Sequence, residues 1–214
     1  DFGYLKTSWD EIEKAKLVLS SKGGAFNLIC ATRYSRSKGQ KYLLEAFSKF
    51  HEIYPDSKLF FFGPGDANWL KAMVEEFELN GEVIISPRID NILPYFVAAD
   101  VVVHPSLVDS FSQLIIEVQA VGGVLVATDI AAANEQIIPY QTGLIVPPRD
   151  SKAIFKALVL LREDSQLSCL IRRNGPTHVR NEFDFQPKFR EMIELDRKST
   201  RLNSSHANIS YAVF

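Results

Sequence analysis

The stretch Val101 to Thr128 constrains the fold of this chain more than any other, and it reads VVVHPSLVDSFSQLIIEVQAVGGVLVAT. Val101-Val102-Val103 is β-branched at three successive positions. Both faces of such a segment must be covered, as in a buried parallel strand. A polar loop, His104 to Ser112, follows, and Gln113 to Val121 has the apolar content of a short helix. Gly122-Gly123 ends that helix, and Val124 to Ala127 is apolar again. Strand, loop, helix, strand is one βαβ unit, and its crossover makes the two strands parallel. Two carboxylates punctuate the unit, Asp109 in the loop and Glu117 on the helix, eight positions apart. An unpaired charge inside an apolar helix is costly. Glu117 therefore needs a partner, either a ligand hydroxyl or a neighbouring Arg or Lys.

The same alternation runs through the chain. Strand-like runs fall at Phe26 to Ala31, Lys58 to Phe62, Glu82 to Ile85, Val101 to Val103, Val124 to Ala127 and Gly143 to Val146. Helical stretches fall between them: Trp9 to Leu19 with Ser8 as N-cap, Lys38 to Tyr54, Ala67 to Glu78 with Asp66 as N-cap, and Asp90 to Ala98. They continue at Gln113 to Val121, Ala131 to Ile137, Asp150 to Glu163 with Asp150 as cap, Ser165 to Asn181, and from Gln186 onward. Leu43, Phe47, Phe50 and Tyr54 form one apolar stripe on the second helix. Short apolar strands separated by helices predict an α/β fold, a doubly wound, Rossmann-like parallel sheet of about six strands with helices on both faces.

In such a sheet the ligand sits outside the carboxyl ends of the strands, where the winding reverses. Arg33, Arg36 and Lys38 follow the first strand, Gly63 and Gly65 the second, and Arg88 the third. Asp109, Ser110 and Ser112 follow the fourth, and Thr128, Asp129 and Glu135 the fifth. Arg33 and Lys38 at a helix N-terminus either suit a diphosphate or are solvated loop charges. Gly63-Pro64-Gly65 between a strand and a helix is half of a dinucleotide fingerprint, but Asn68 occupies the place of the third Gly. An oxidoreductase of this fold also needs an acidic residue at the next strand end, where Ser86-Pro87-Arg88 stands. His51 and His178 are expected to be structural. His104 at a strand end either packs or touches a ligand.

A formal net charge of -2 speaks against a nucleic-acid surface. Cys30 and Cys169 form no metal or redox pair and are both expected to be buried reduced thiols. That places the chain in a reducing, cytoplasmic compartment, with peripheral association at the inner membrane left open. No signal peptide or membrane span is visible. The first residue is Asp1, not Met, so a piece of a longer protein is expected. Asp196 to Phe214, DRKSTRLNSSHANISYAVF, resembles a translated sequencing-library adapter read in one frame. Both glycosylation sequons, at Asn203 and Asn208, lie inside it. The domain is therefore expected over residues 1–195, with a non-native tail over residues 196–214.

The ordered set of motifs resembles the C-terminal, donor-binding domain of GT-B glycosyltransferases of family 4. Thr32-Arg33 with Lys38-Gly39 resembles the "GR…KG" loop, and Phe61-Phe62-Gly63-Pro64-Gly65 the "GxG" turn. Ala99-Asp100 with His104-Pro105-Ser106 resembles "AD…PS", and Asp109 with Glu117 falls on E-x7-E. Gly122 to Thr128 resembles "G.PVVAT", and Thr142 to Pro148 with Asp150 resembles "TGxLVPPxD". The resemblance implies a retaining transfer from a nucleotide-diphosphate sugar, without a bound metal or other cofactor. It implies that Arg33 and Lys38 hold the diphosphate and that Glu117 binds the ribose. It also implies that Asp109 faces the donor sugar with the N–H groups near Phe111 and Ser112, and that Gly63, Arg88 and Ser110 belong to the donor site. The acceptor, a glycan, lipid or other group, would be held by an N-terminal domain absent here. The chain departs from the pattern at Thr32, Asp109, Ser110, Ser112, Gln119 and Ala131 to Ala133, where Gly, Glu, Gly, Gly, Met and a Gly-Gly loop are usual. If the two serines block sugar approach, the alternative is a non-catalytic nucleotide-sugar-binding module.

Overall fold

The computed structural model describes residues 7–183 apart from 22, 24 and 25. The tail and the helix expected from Gln186 lie outside the described residues. Six strands build one sheet: β1 Phe26–Ala31, β2 Ser57–Phe62, β3 Val83–Ser86, β4 Val101–His104, β5 Leu125–Thr128 and β6 Leu144–Val146. The order is β3-β2-β1-β4-β5-β6, and every pairing is parallel. Eight α-helices are described: α1 Trp9–Ser20, α2 Gln40–Ile53, α3 Asn68–Glu76, α4 Leu93–Ala98, α5 Gln113–Ala120, α6 Ala131–Gln136, α7 Ser151–Glu163 and α8 Ser165–Glu182.

Side chains alternate across the sheet and feed two cores. Leu28, Cys30, Leu59, Phe61, Val101 and Val103 pack with Leu43, Phe47 and Phe50 of α2 and with Ile154 and Leu158 of α7. Ile29, Phe60, Phe62, Val102 and Leu125 pack with Phe96 of α4, Ile115 and Val118 of α5, and Val179 of α8. Both faces are covered, which is why the strands are apolar throughout rather than alternating.

Several helix boundaries differ from the sequence reading. Helix α2 starts at Gln40, not Lys38, because Gly39 takes φ 67° and separates it from a 3₁₀ turn, Arg36–Lys38. Asp66 is not the cap of α3; its carboxylate accepts the Asn68 N–H at 2.9 Å, one residue ahead of the cap Ala67. Helix α4 starts at Leu93 rather than Asp90. The caps at Ser8 and Asp150 form as expected, Ser8 in a reciprocal box with Glu11. Cys169 is exposed, contrary to expectation, whereas Cys30 is buried and its thiol is pushed up to about 12 by burial. A helix such as α8 shows one face to water, and Cys169 lies on that face.

The chain winds outward from β1 to β2 and β3, then returns to β4 beside β1. The winding reverses between β1 and β4, and folds of this kind hold their ligands in a crevice outside the carboxyl ends of the strands at that point.

Candidate functional site

The loop leaving β1 is fixed from both sides. The Thr32 hydroxyl is buried and accepts a hydrogen bond from Gln40 Nε2 at 3.0 Å, while the same nitrogen donates to the Arg33 carbonyl at 2.7 Å. Thr32, where glycine is usual, thus has a hydrogen-bonding task of its own. The Tyr34 N–H donates to the Pro64 carbonyl at 2.9 Å. Its phenol donates to the Phe61 carbonyl at 3.0 Å and also contacts the Ser86 carbonyl, joining the ends of β2 and β3. Burial raises that phenol to about 12, so it stays a donor. A Cβ on Gly63 would lie 2.0 Å from the Thr32 carbonyl oxygen, so the loops after β1 and β2 touch backbone to backbone. The β1 and β4 loops meet equally closely, since a Cβ on Gly39 would lie 1.9 Å from the Pro105 oxygen.

These contacts surround a cleft of about 570 Å³ at the switch point. Its walls include Arg33, Gly63, Arg88, Asn91, Gln113 and Glu117, drawn from the loops after β1, β2 and β3 and from α5. The structure thus brings together four of the expected site residues, Arg33, Gly63, Arg88 and Glu117. Glu117 is partly buried, and its carboxylate has no hydrogen bond or ion pair with a described residue. Burial raises its carboxyl above the ordinary range, and the attraction of Arg88 offsets this only in part. The Arg partner foreseen for it is a neighbour across the cleft rather than a contact.

Lys38 and Asp109 are not among the walls of this cleft. They hold each other beside it, Lys38 Nζ to Asp109 Oδ2 at 3.2 Å. His104 is buried, and its Nε2 lies 3.4 Å from the same carboxylate oxygen. His104, and then Lys38, hold the Asp109 carboxyl below its ordinary range despite the opposing effect of burial. His104 is therefore a packed residue that touches the site through Asp109.

The three residues after Asp109 differ among themselves. Ser110 is exposed. Phe111 is half-exposed, with its ring 6.5 Å from that of Phe183. Ser112 is buried and caps α5. Its N–H, expected to face a donor sugar, instead donates to Gln136 Oε1 at 3.1 Å. Gln136 ends α6 fully buried and turns its amide onto the Ser112 backbone. Sequence reasoning missed Tyr34, Gln40 and Gln136. For the two glutamines the available signal was a polar side chain on the apolar stripe of a helix. No group of three or more His, Cys, Asp or Glu that could hold a metal occurs among the described residues.

Residues 11–178 match the model of the Glycosyl transferases group 1 family. The chain belongs to that family. A D-inositol 3-phosphate glycosyltransferase of Corynebacterium urealyticum is 29% identical over 175 residues, covering 77% of this chain and 41% of the relative. The corresponding enzyme of Pseudarthrobacter chlorophenolicus is 33% identical over 130 residues, covering 58% of this chain and 31% of the relative. The chain thus spans well under half the length of these group 1 relatives. Among solved structures, Anabaena HepE in complex with UDP superposes with a TM-score of 0.83 at 22% identity, covering 92% of this chain and 55% of that one. The C-terminal domain of a group 1 glycosyl transferase, LpcC of Francisella tularensis, superposes at 0.71 with 24% identity, covering 85% of this chain and 95% of that one. The fold is that of the C-terminal, Rossmann-like half of a GT-B glycosyltransferase. Among the described residues no helix is long and apolar enough to cross a membrane.

Proposed function

We propose that this chain is the donor half of a retaining glycosyltransferase, binding a nucleotide-diphosphate sugar in the switch-point cleft. One observation carries the reading: two guanidinium groups and an unpartnered, partly buried carboxylate line a single cleft. The opposite signs suit the two ends of one ligand. Arg33 offers a planar fork of donors to the diphosphate, and Lys38 joins it by exchanging Asp109 for phosphate. Glu117 accepts the ribose hydroxyls, which repay the desolvation of its carboxylate. Asp109, once released by Lys38, faces the sugar. HepE, which shares the fold, was solved with UDP and with UDP-glucose.

In the transfer the bond from the anomeric carbon to the diphosphate oxygen breaks, the acceptor hydroxyl oxygen takes its place with the anomeric configuration kept, and the hydroxyl proton passes to the departing diphosphate. Negative charge grows on the diphosphate as the sugar becomes oxocarbenium-like. Fixed cations at that position stabilise the transition state more than the ground state. Arg33 and Lys38 supply them from the protein, so no metal ion is needed. The acceptor is held by residues outside this chain.

Titration calorimetry with UDP and GDP tests the reading. One of them is expected to bind, with the same affinity in the presence of EDTA and without sugar transfer by the chain alone. Failure of both to bind overturns the proposal, and robust transfer to an acceptor contradicts its division of labour.

A further inference from the structure

Gln136 grips one residue at two points. Its Oε1 accepts the Ser112 N–H at 3.1 Å and its Nε2 donates to the Ser112 carbonyl at 3.2 Å. The Gln136 carbonyl accepts in turn from Gln119 Nε2 at 2.9 Å and from His178 Nε2 at 3.2 Å. On the far side, the Ser112 hydroxyl lies 3.4 Å from His104 Nε2, which is 3.4 Å from Asp109, itself paired with Lys38 at 3.2 Å. A line of polar contacts thus runs from α8 through α6 and α5 to the basic loop after β1.

The line does not serve stability well. Gln119 Oε1 and His104 Nδ1 are buried without a partner among the described residues, and half-satisfied buried networks are worse than an apolar core. What such a network provides is geometry. Ser112 caps α5, whose Gln113 and Glu117 line the cleft, and Asp109 stands three residues upstream. Fixing the Ser112 peptide groups fixes both. Two departures from the family pattern, Ser112 and Gln119, are hydrogen-bonded to this one residue.

We propose that Gln136 is a positioning residue, whose amide clamps the Ser112 backbone and so sets the loop that carries Asp109 against Lys38. The ligand arm of its test rests on the donor-site reading; the other arm does not. In the ligand-free chain, the Asp109 carboxyl is titrated by carbonyl-detected NMR in the parent, in Gln136→Leu and in Gln136→Glu. Gln136→Leu removes the clamp, and Gln136→Glu keeps the acceptor for the Ser112 N–H while removing the donor to its carbonyl. The Asp109 titration is expected to move up towards its ordinary range in Gln136→Leu, and less in Gln136→Glu. In the ligand arm, Gln136→Leu is expected to weaken UDP by about tenfold, the scale of one hydrogen bond to a charged group, and uridine by less than about twofold.

An unmoved Asp109 titration overturns the proposal. So does an equal loss of UDP and uridine, or unfolding of both variants, since Gln136 would then act only on stability. If the parent binds no nucleotide, the donor-site reading falls while the titration still decides the role of Gln136.

Discussion

At the amino ends of the strands, Arg172 of α8 donates to the carbonyls of Val97, Ala99, Asp100 and Gly122 at 2.7 to 3.5 Å. Nearby, Asp100 accepts the Asn27 N–H at 2.7 Å. Arg162 meets Asp56 at 2.8 Å and lies over the ring of Phe26. At the carboxyl ends, Arg33 is exposed, and neither its guanidinium nor the Glu117 carboxylate has a hydrogen bond or ion pair with a described residue. The two ends use the same residue types under different rules. A charge that holds a fold is partly buried against its partners, because an unmet one would be costly there. A charge kept for a ligand must stay unmet until the ligand arrives, and the fold bears that cost. Lys38 with Asp109 lies between the cases, as an ion pair at the ligand end.

The sharpest way to break the comparison is Arg172→Leu. Four carbonyls lose their shared donor, and Asp100, already raised by burial, loses the stronger of the two positive charges that hold it down. The expected cost is about 2–4 kcal/mol in urea unfolding, in line with charged hydrogen bonds lost from a buried network. Nucleoside diphosphate affinity of the folded protein should stay unchanged. A stability loss below about 1 kcal/mol would mean that the amino-end charges are no more structural than those of the cleft.

Arg33→Ala and Lys38→Ala probe the other end. Each is expected to cost about 1.5–3 kcal/mol of diphosphate binding, with little effect on a nucleoside. Arg33→Ala should change stability by less than about 0.5 kcal/mol, because the side chain is exposed. Calorimetry with UDP and uridine, alongside urea unfolding, reads both quantities. If diphosphate and nucleoside are bound as by the parent, neither cation is kept for a ligand.

The sheet was legible because its information is local. Runs such as Val101 to Val103 must be covered on both faces, and the helices between strands force parallel crossovers. Topology put Arg33, Lys38 and Arg88 at the ligand end of the sheet, the family resemblance added Glu117, and of these four Lys38 alone does not line the cleft. What was not legible depends on contacts between distant residues. Gln136 and Ser112 are 24 positions apart, and a glutamine on a short helix gives no sign of which backbone it will grip. Nothing in the sequence sets Arg172 apart from other charges on its helix, because its four acceptors are backbone atoms. Gly39, whose φ of 67° starts α2 late, also lies against Pro105, a contact invisible from its own neighbours.

The smallest expected effect is the most specific to the cleft. The Glu117 carboxyl is raised in the folded protein, first by burial, with Arg88 opposing. The folded state therefore holds its proton to higher pH than the unfolded chain does. Stability contributed by the protonated form is present at low pH and is lost as pH rises through the raised value. Above that range the charged carboxylate weakens the free protein. Glu117→Gln removes the charge and keeps the shape, so the variant should be more stable than the parent near neutral pH by a few tenths of a kcal/mol, the scale of partly exposed sites. The difference should vanish once both states are protonated, below the ordinary glutamate range. The same variant should bind both nucleoside and diphosphate more weakly, because its proposed partner is the ribose they share. Urea unfolding across the acid range, paired with calorimetry, distinguishes the readings. Equal stability with unchanged binding would make Glu117 an ordinary helix residue, whereas a stability gain with a binding loss marks a carboxylate kept unpartnered for a ligand.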